Sequence, residues 1–199
     1  IAQLKKSGTQ VILVTSGAVG SGRSLLKISN KPETVPDKQV FAAIGQVKLM
    51  ETYSKLFKKL GYLCAQVLVT KEDFRDKEHY QNMRNCFLNL LRDGVIPIVN
   101  ENDVVAIREL VFTDNDELAG LIAQQLKAEA VIMLSSVDGV LDDTGKTIPE
   151  IKYKNISAFQ KHITKEKSAT GRGGMETKFA TAKKLASLGI SVFIANGKR

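Results

Sequence analysis

The sequence predicts an α/β protein built on a mainly parallel sheet, and three observations carry that prediction. Short apolar runs alternate with long amphipathic ones, the rhythm of strands joined by crossover helices. Gly, Ser, Asn and Asp gather immediately after the apolar runs, where ligands bind in open α/β sheets. No internal repeat, low-complexity tract or linker interrupts the pattern, so residues 1–199 read as one domain.

In chain order, "IAQLKKSGTQ" reads as the last turns of a helix ending at Gly8 and has no signal-peptide layout. A chain that opens part-way into a domain is the expectation. "VILVT" (11–15) is the first strand, and it delivers "SGAVGSG", a Gly-rich turn of the kind that holds an anion. "DKQVFAAIGQVKLMETYSKLFKKLG" (37–61) places apolar residues at helical spacing and closes on Gly61. Strand 64–70 follows, then helix 76–94 with Asp76 able to cap its start and Gly94 its end. Strand 95–100, helix 114–129, strand 130–135, helix 174–189 and strand 190–196 complete the series. "AIRELVF" (106–112) alternates weakly, as a short hairpin arm would.

At 199 residues the chain can bury a substantial core. It has 43% hydrophobic and 25% charged residues, no tryptophan, and no apolar run long enough to span a bilayer. Cys64 and Cys86 lack metal or redox spacing and read as reduced thiols, which favours the cytoplasm. The net charge of +8 comes from lysines scattered over helix faces without interleaved aromatics. That pattern argues for a solvated surface suited to small anions and against a nucleic-acid surface.

Four polar clusters bear the chemistry. In "NENDVVA" (100–106), Asn100, Asn102 and Asp103 follow an apolar strand. They form either an Asx-rich turn or a pocket in which Asp103 pairs with a cation and the amides bind a carboxylate or amine. In "FTDNDELAG" (112–120), Asp114 or Asn115 can cap a helix and Asp116 and Glu117 can serve its dipole. Acids so placed can also orient lysines or hold Mg2+. "SSVDGVLDD" (135–143) is the polar turn after strand 130–135. "TGRGGMETK" (170–178) is a second anion loop, with Gly173 and Gly174 at a helix start and Lys178 about one turn in. Its spacing differs from the Walker-type phosphate loop.

His79 and His162, the only histidines, lie outside these clusters, which argues against a histidine base or a zinc site. "GAVGSG" runs G-x-x-G-x-G, the reverse of the dinucleotide fingerprint, which disfavours hydride chemistry. Phosphoryl transfer to a carboxylate fits what remains. A carboxylate of pKa about 4.3 is already ionised at pH 7 and needs no base, only alignment and positive charge.

"VTSGAVGSGR", "AAIGQ", "VIPIVNENDVVA", "FTDNDELA", "LSSVDGVLDD" and "GRGGMETK" resemble, in order and spacing, the signatures of the amino acid kinase family, in its glutamate-phosphorylating branch. The resemblance implies a three-layer αβα sandwich with a mainly parallel central sheet. It implies ATP-dependent phosphorylation of the L-glutamate side-chain carboxylate to L-glutamyl 5-phosphate, the first step of proline biosynthesis. Carried over by motif, Ser16, Gly17, Ala18, Asn100, Asp103 and Asn115 would bind glutamate, with Asp103 facing its free α-amino group. Asp116 would orient the catalytic lysines and Lys178 would stabilise charge on the transferring phosphoryl group. Ser135, Ser136, Gly173, Gly174, Met175 and Lys178 would line the nucleotide site, with Asp114 near Mg2+·ATP. Proline as feedback inhibitor and a homodimer or homotetramer are implied as well. The family's opening Lys-x-Gly turn falls before Ile1, and a C-terminal RNA-binding-like domain occurs in many relatives. Ser136 stands where Asp is usual, and Arg172 where a small residue or Thr is common. The alternatives are a sibling kinase acting on acetylglutamate or a nucleoside monophosphate, and a non-catalytic ligand- or RNA-binding remnant.

Overall fold

A computed structural model describes residues 1–27, 34–106, 112, 114–142, 144–163 and 174–198. They fall into two compact units, Ile1–Phe112 and Thr113–Arg199, each with its own parallel sheet.

The first unit contains helix α1 (Ala2–Lys6), strand β1 (Leu13–Val14), helices α2 (Ala18–Leu26) and α3 (Val35–Lys59) and strand β2 (Cys64–Val69). A 3₁₀ turn (Lys71–Phe74), helix α4 (Lys77–Arg92) and strand β3 (Ile96–Glu101) complete it. Strand order is β1-β3-β2, with Leu13 opposite Ile98 and Cys64 opposite Ile96. Central β3 is flanked on both sides, and Ile96, Ile98 and Val99 are fully buried. Phe57 of α3 packs on Ile96 and Ile98, with Leu13, Met50, Tyr53 and Cys64 around them. This cluster fixes α3 against the sheet by apolar burial.

Local signals set the helix ends. α3 starts earlier than the expected residue 37 because Thr34 and Asp37 form a capping box: Thr34 Oγ1 accepts from the Asp37 N–H and Asp37 Oδ2 from the Thr34 N–H. Asp76 caps α4 by accepting from the His79 N–H at 2.7 Å. Gly61 and Gly94 end α3 and α4 at φ of 80° and 74°.

Two expectations need correction here. The first strand is shorter than 11–15, although the Thr15 N–H still bonds the Val99 carbonyl at 2.9 Å. The Gly-rich stretch is also not one long turn. Only Gly17, at φ 106°, makes the turn, and it is the N-cap of α2; Gly20 and Gly22 lie inside that helix. A Cβ on Gly22 would collide with the Phe41 backbone, and one on Gly45 with the Ala18 carbonyl and the Gly22 nitrogen. Glycine inside a helix costs up to about 1 kcal/mol. At Gly22 and Gly45 it permits a backbone-to-backbone crossing of α2 and α3.

The second unit contains α5 (Asn115–Leu126), β4 (Ala130–Ser135), a 3₁₀ turn (Tyr153–Asn155), α6 (Ile156–Ile163), α7 (Met175–Ser187) and β5 (Ser191–Asn196). β4 and β5 pair in parallel from Ala130–Ser191 to Ser135–Asn196. Ala123, Met133, Leu185 and Ile190 form one apolar cluster, and Val140, Ile156 and Phe179 another. Helix α6 was not anticipated from the sequence. The polar turns follow strands as expected, but not strands of one sheet. The clusters after β1 and β3 share the edge of one sheet, whereas "SSVDGVLDD" follows β4 in the other. A buried parallel strand reports its burial in its sequence, not its pairing partner. Most of the expected 106–112 arm lies outside the described residues.

Candidate active site

The carboxyl edge of the β1-β3-β2 sheet carries the expected acceptor residues. Ser16 and Gly17 follow β1, and Ala18 is the first residue of α2, whose N-terminal amides have no side-chain cap among the described residues. An open cleft of about 530 Å3 reaches Gly17 and is lined by Gly20, Ser21 and Ser24 of α2 and by Lys48 and Thr52 of α3. Asn100 ends the buried part of β3 and is itself only 3% exposed. Its Nδ2 donates to Gln46 Oε1 at 3.1 Å and its Oδ1 accepts from the Glu101 N–H at 2.9 Å. Gln46 in turn donates to Gln66 Oε1 at 3.2 Å.

Asp103 sits in the turn closed by Val105 and Ala106 N–H bonds to the Asn102 carbonyl. Its carboxyl is half-buried, burial pushes its pKa above the ordinary value, and it has no hydrogen-bond or ion-pair partner among the described residues. A charge held that way is under-compensated and favours an incoming cation.

In the second unit the "DND" stretch opens α5. Asp114 is the cap: its Oδ1 accepts from the Glu117 N–H at 2.9 Å. Its Oδ2 is buried with no hydrogen-bond partner among the described residues. Asn115 is the first residue of α5. Asp116, one turn before Gly120, reaches Lys178 of α7, whose Nζ donates to Asp116 Oδ2 at 2.5 Å. The pair is 12% exposed at Lys178 and 17% at Asp116. A Cβ at Gly120 would press on Thr181, so this glycine lets α5 and α7 approach closely and brings the pair together. Burial raises the Asp116 pKa; Lys178 opposes that shift and the nearby Asp114 charge adds to it.

α7 starts at Gly174, and no side chain among the described residues caps its N-terminus. Its first amides and the Lys178 ammonium therefore form a positive end of the kind that binds phosphate. Met175 packs against the Val140–Ile156–Phe179 cluster, so it anchors the helix start as well as lying beside it. Ser135 ends β4 and its carbonyl accepts from the Gly197 N–H, while Ser136 is exposed in the following turn. Asp138 accepts from Asn196 Nδ2 at 2.9 Å, a tie between that turn and the end of β5 that the sequence reading did not single out. Gly173 and Arg172 lie outside the described residues.

No group of three or more His, Cys, Asp or Glu among the described residues could hold a metal ion. The orphaned Asp114 Oδ2 is the acceptor that fits a divalent cation.

A parallel α/β scaffold with a lysine clamped at an open helix start belongs to the class of proteins that handle anionic groups. The chain belongs to the amino acid kinase family, whose model matches residues 1–196. It is similar to a glutamate 5-kinase of Chlorobaculum tepidum, with 52% identity over 99% of this chain and 55% of that protein. It is also similar to those of Bacteroides thetaiotaomicron (49%, all of this chain, 56% of that protein) and Clostridium acetobutylicum (40%, all of this chain, 76% of that protein). The chain spans about half the length of the first two. Among solved structures it resembles carbamate kinase from Giardia lamblia bound to AMP-PNP, at a TM-score of 0.66 and 13% identity, covering 98% of this chain and 81% of that one. That likeness bears out the α/β kinase fold.

Proposed function

We propose that the protein phosphorylates the side-chain carboxylate of L-glutamate with Mg2+·ATP, giving L-glutamyl 5-phosphate and ADP, the first step of proline biosynthesis. The observation that carries the reading is Asp103, a half-buried carboxylate without a described partner, in a chain similar throughout to glutamate 5-kinases. A free α-ammonium is the partner such a group lacks, and an acetylated amine would leave it unpaired. Ser16, Gly17, Ala18, Asn100 and Asn115 would hold the rest of the amino acid, as the family resemblance implies.

Glutamate's carboxylate oxygen attacks the γ-phosphorus in line, and the phosphorus–oxygen bond to ADP breaks. The electron pair leaves with ADP. Lys178 neutralises charge on the transferring group, and Asp116 holds its ammonium in place. Ser135, Ser136, Gly173, Gly174 and Met175 would bind the nucleotide, and Asp114 would face the Mg2+. The same reading places the enzyme in the cytoplasm as a homodimer or homotetramer inhibited by proline. No described helix is long and apolar enough to cross a membrane.

The test is an ADP-release assay on the full-length protein with glutamate, aspartate and acetylglutamate as acceptors, each with and without proline. Turnover with glutamate and inhibition by proline are expected. Turnover with acetylglutamate but not glutamate overturns the reading.

A further inference from the structure

Helix α3 touches the acceptor loops through three polar side chains at a regular interval. Gln39 Nε2 donates to the Val104 carbonyl at 2.9 Å, in the turn that holds Asp103. Gln46, 8% exposed, accepts from Asn100. Tyr53 shares a 2.7 Å hydrogen bond with Thr15, whose hydroxyl donates onward to the Ser16 carbonyl at 3.2 Å. A hydroxyl has one proton, so Tyr53 is the donor in this relay.

Residues 39, 46 and 53 are seven apart. Seven residues are two helical turns less about 20°, so all three project from one face, about 10 Å apart along the axis. That face otherwise packs through apolar groups: Met50, Tyr53 and Phe57 lie against Ile96 and Ile98. Gln46 is buried and the Tyr53–Thr15 bond half-buried. Polar groups so placed in an apolar interface define one register of the elements they join. Gln39 adds an exposed bond at the start of the same face. Here the joined elements are the loop after β1 and the turn after β3, which come from separate strands.

We propose that the Gln39–Gln46–Tyr53 stripe of α3 is the positioning device of the acceptor pocket, holding Ser16, Asn100 and Asp103 in mutual register. None of the three needs to touch the substrate. The proposal rests on the acceptor reading above for the identity of the ligand, but not for the mechanics of the loops.

The test uses Gln39→Met, Tyr53→Phe and the triple variant carrying Gln46→Met in the full-length protein. Tyr53→Phe and Gln39→Met should each raise the KM for glutamate about three- to fivefold, and the triple variant at least about thirtyfold. The KM for ATP should stay constant and kcat should change by less than about twofold. Amide exchange without substrate should quicken at residues 15–20 in Tyr53→Phe and at 100–106 in Gln39→Met. Unchanged glutamate KM and unchanged exchange overturn the proposal and leave the acceptor reading standing. A parallel rise in both KM values with a lowered Tm overturns it too, because the stripe would then be general scaffolding. If the wild type turns over a different acceptor, the reading fails and the stripe is judged on that acceptor's KM. If no acceptor is turned over, the exchange pattern decides alone.

Discussion

Asp103 and Asp116 are both half-buried aspartates whose pKa values burial raises, yet they are finished differently. Asp116 has its cation built in, Lys178 at 2.5 Å on a neighbouring helix. Asp103 has no partner among the described residues and waits at the end of a central strand. The difference separates two kinds of electrostatic work. One acid already holds a lysine ammonium on a neighbouring helix; the other carries a charge that no described residue compensates.

Removing the clamped cation should have the largest effect. Lys178→Met is expected to lower kcat by about 10²–10³ with the KM for glutamate nearly unchanged, as steady-state assays would show. Equal loss in both constants would place Lys178 in ground-state binding instead. Asp103→Asn should raise the KM for glutamate about thirty- to a hundredfold and spare that for ATP. Unaltered glutamate dependence would break the contrast between the two acids.

Packing at the α2–α3 crossing comes next in size. Gly45→Ala should cost about 1–3 kcal/mol, seen as a lowered denaturant midpoint, because the added methyl meets backbone rather than a yielding side chain. A neutral result would mean that the α2–α3 crossing has slack and does not set the position of Ala18.

The smallest effect is on stability and runs opposite to function. Asp103 has a raised folded pKa, so the native state binds its proton more tightly than the unfolded chain does. Charging it costs stability, a cost absent below its ordinary value of 3.8 and complete above its folded pKa. Asp103→Asn should therefore raise the Tm of the ligand-free protein at pH 7 by about 1–3 °C, with the gain vanishing near pH 4. In the wild type, the KM for glutamate should climb as pH falls towards the folded pKa, while the variant's profile stays flat. A lower Tm for the variant at pH 7 would mean that the Asp103 charge is already compensated.

Much of this was legible in the residues. The five strands were placed within two or three residues and the four long helices within a few, because apolar periodicity and caps such as Asp76 and Gly94 are local. The short helices α2 and α6 were not, since "GAVGSG" reads as a turn when its partner helix is out of view. The acidic and glycine clusters were visible as chemistry, but "DND" could not say which residue caps α5 and which meets a lysine 62 positions away.

By itself, then, the sequence determined the α/β class, the family and the identities of the polar residues at strand ends. Short-range periodicity, capping and motif spacing carry that information. Tertiary structure decided that Gly22 and Gly45 serve a helix crossing and that Lys178 is clamped by Asp116. It also decided that α3 reaches both acceptor loops through Gln39, Gln46 and Tyr53. Each of those depends on which backbones approach one another, a long-range property that a chain acquires only when its core is packed.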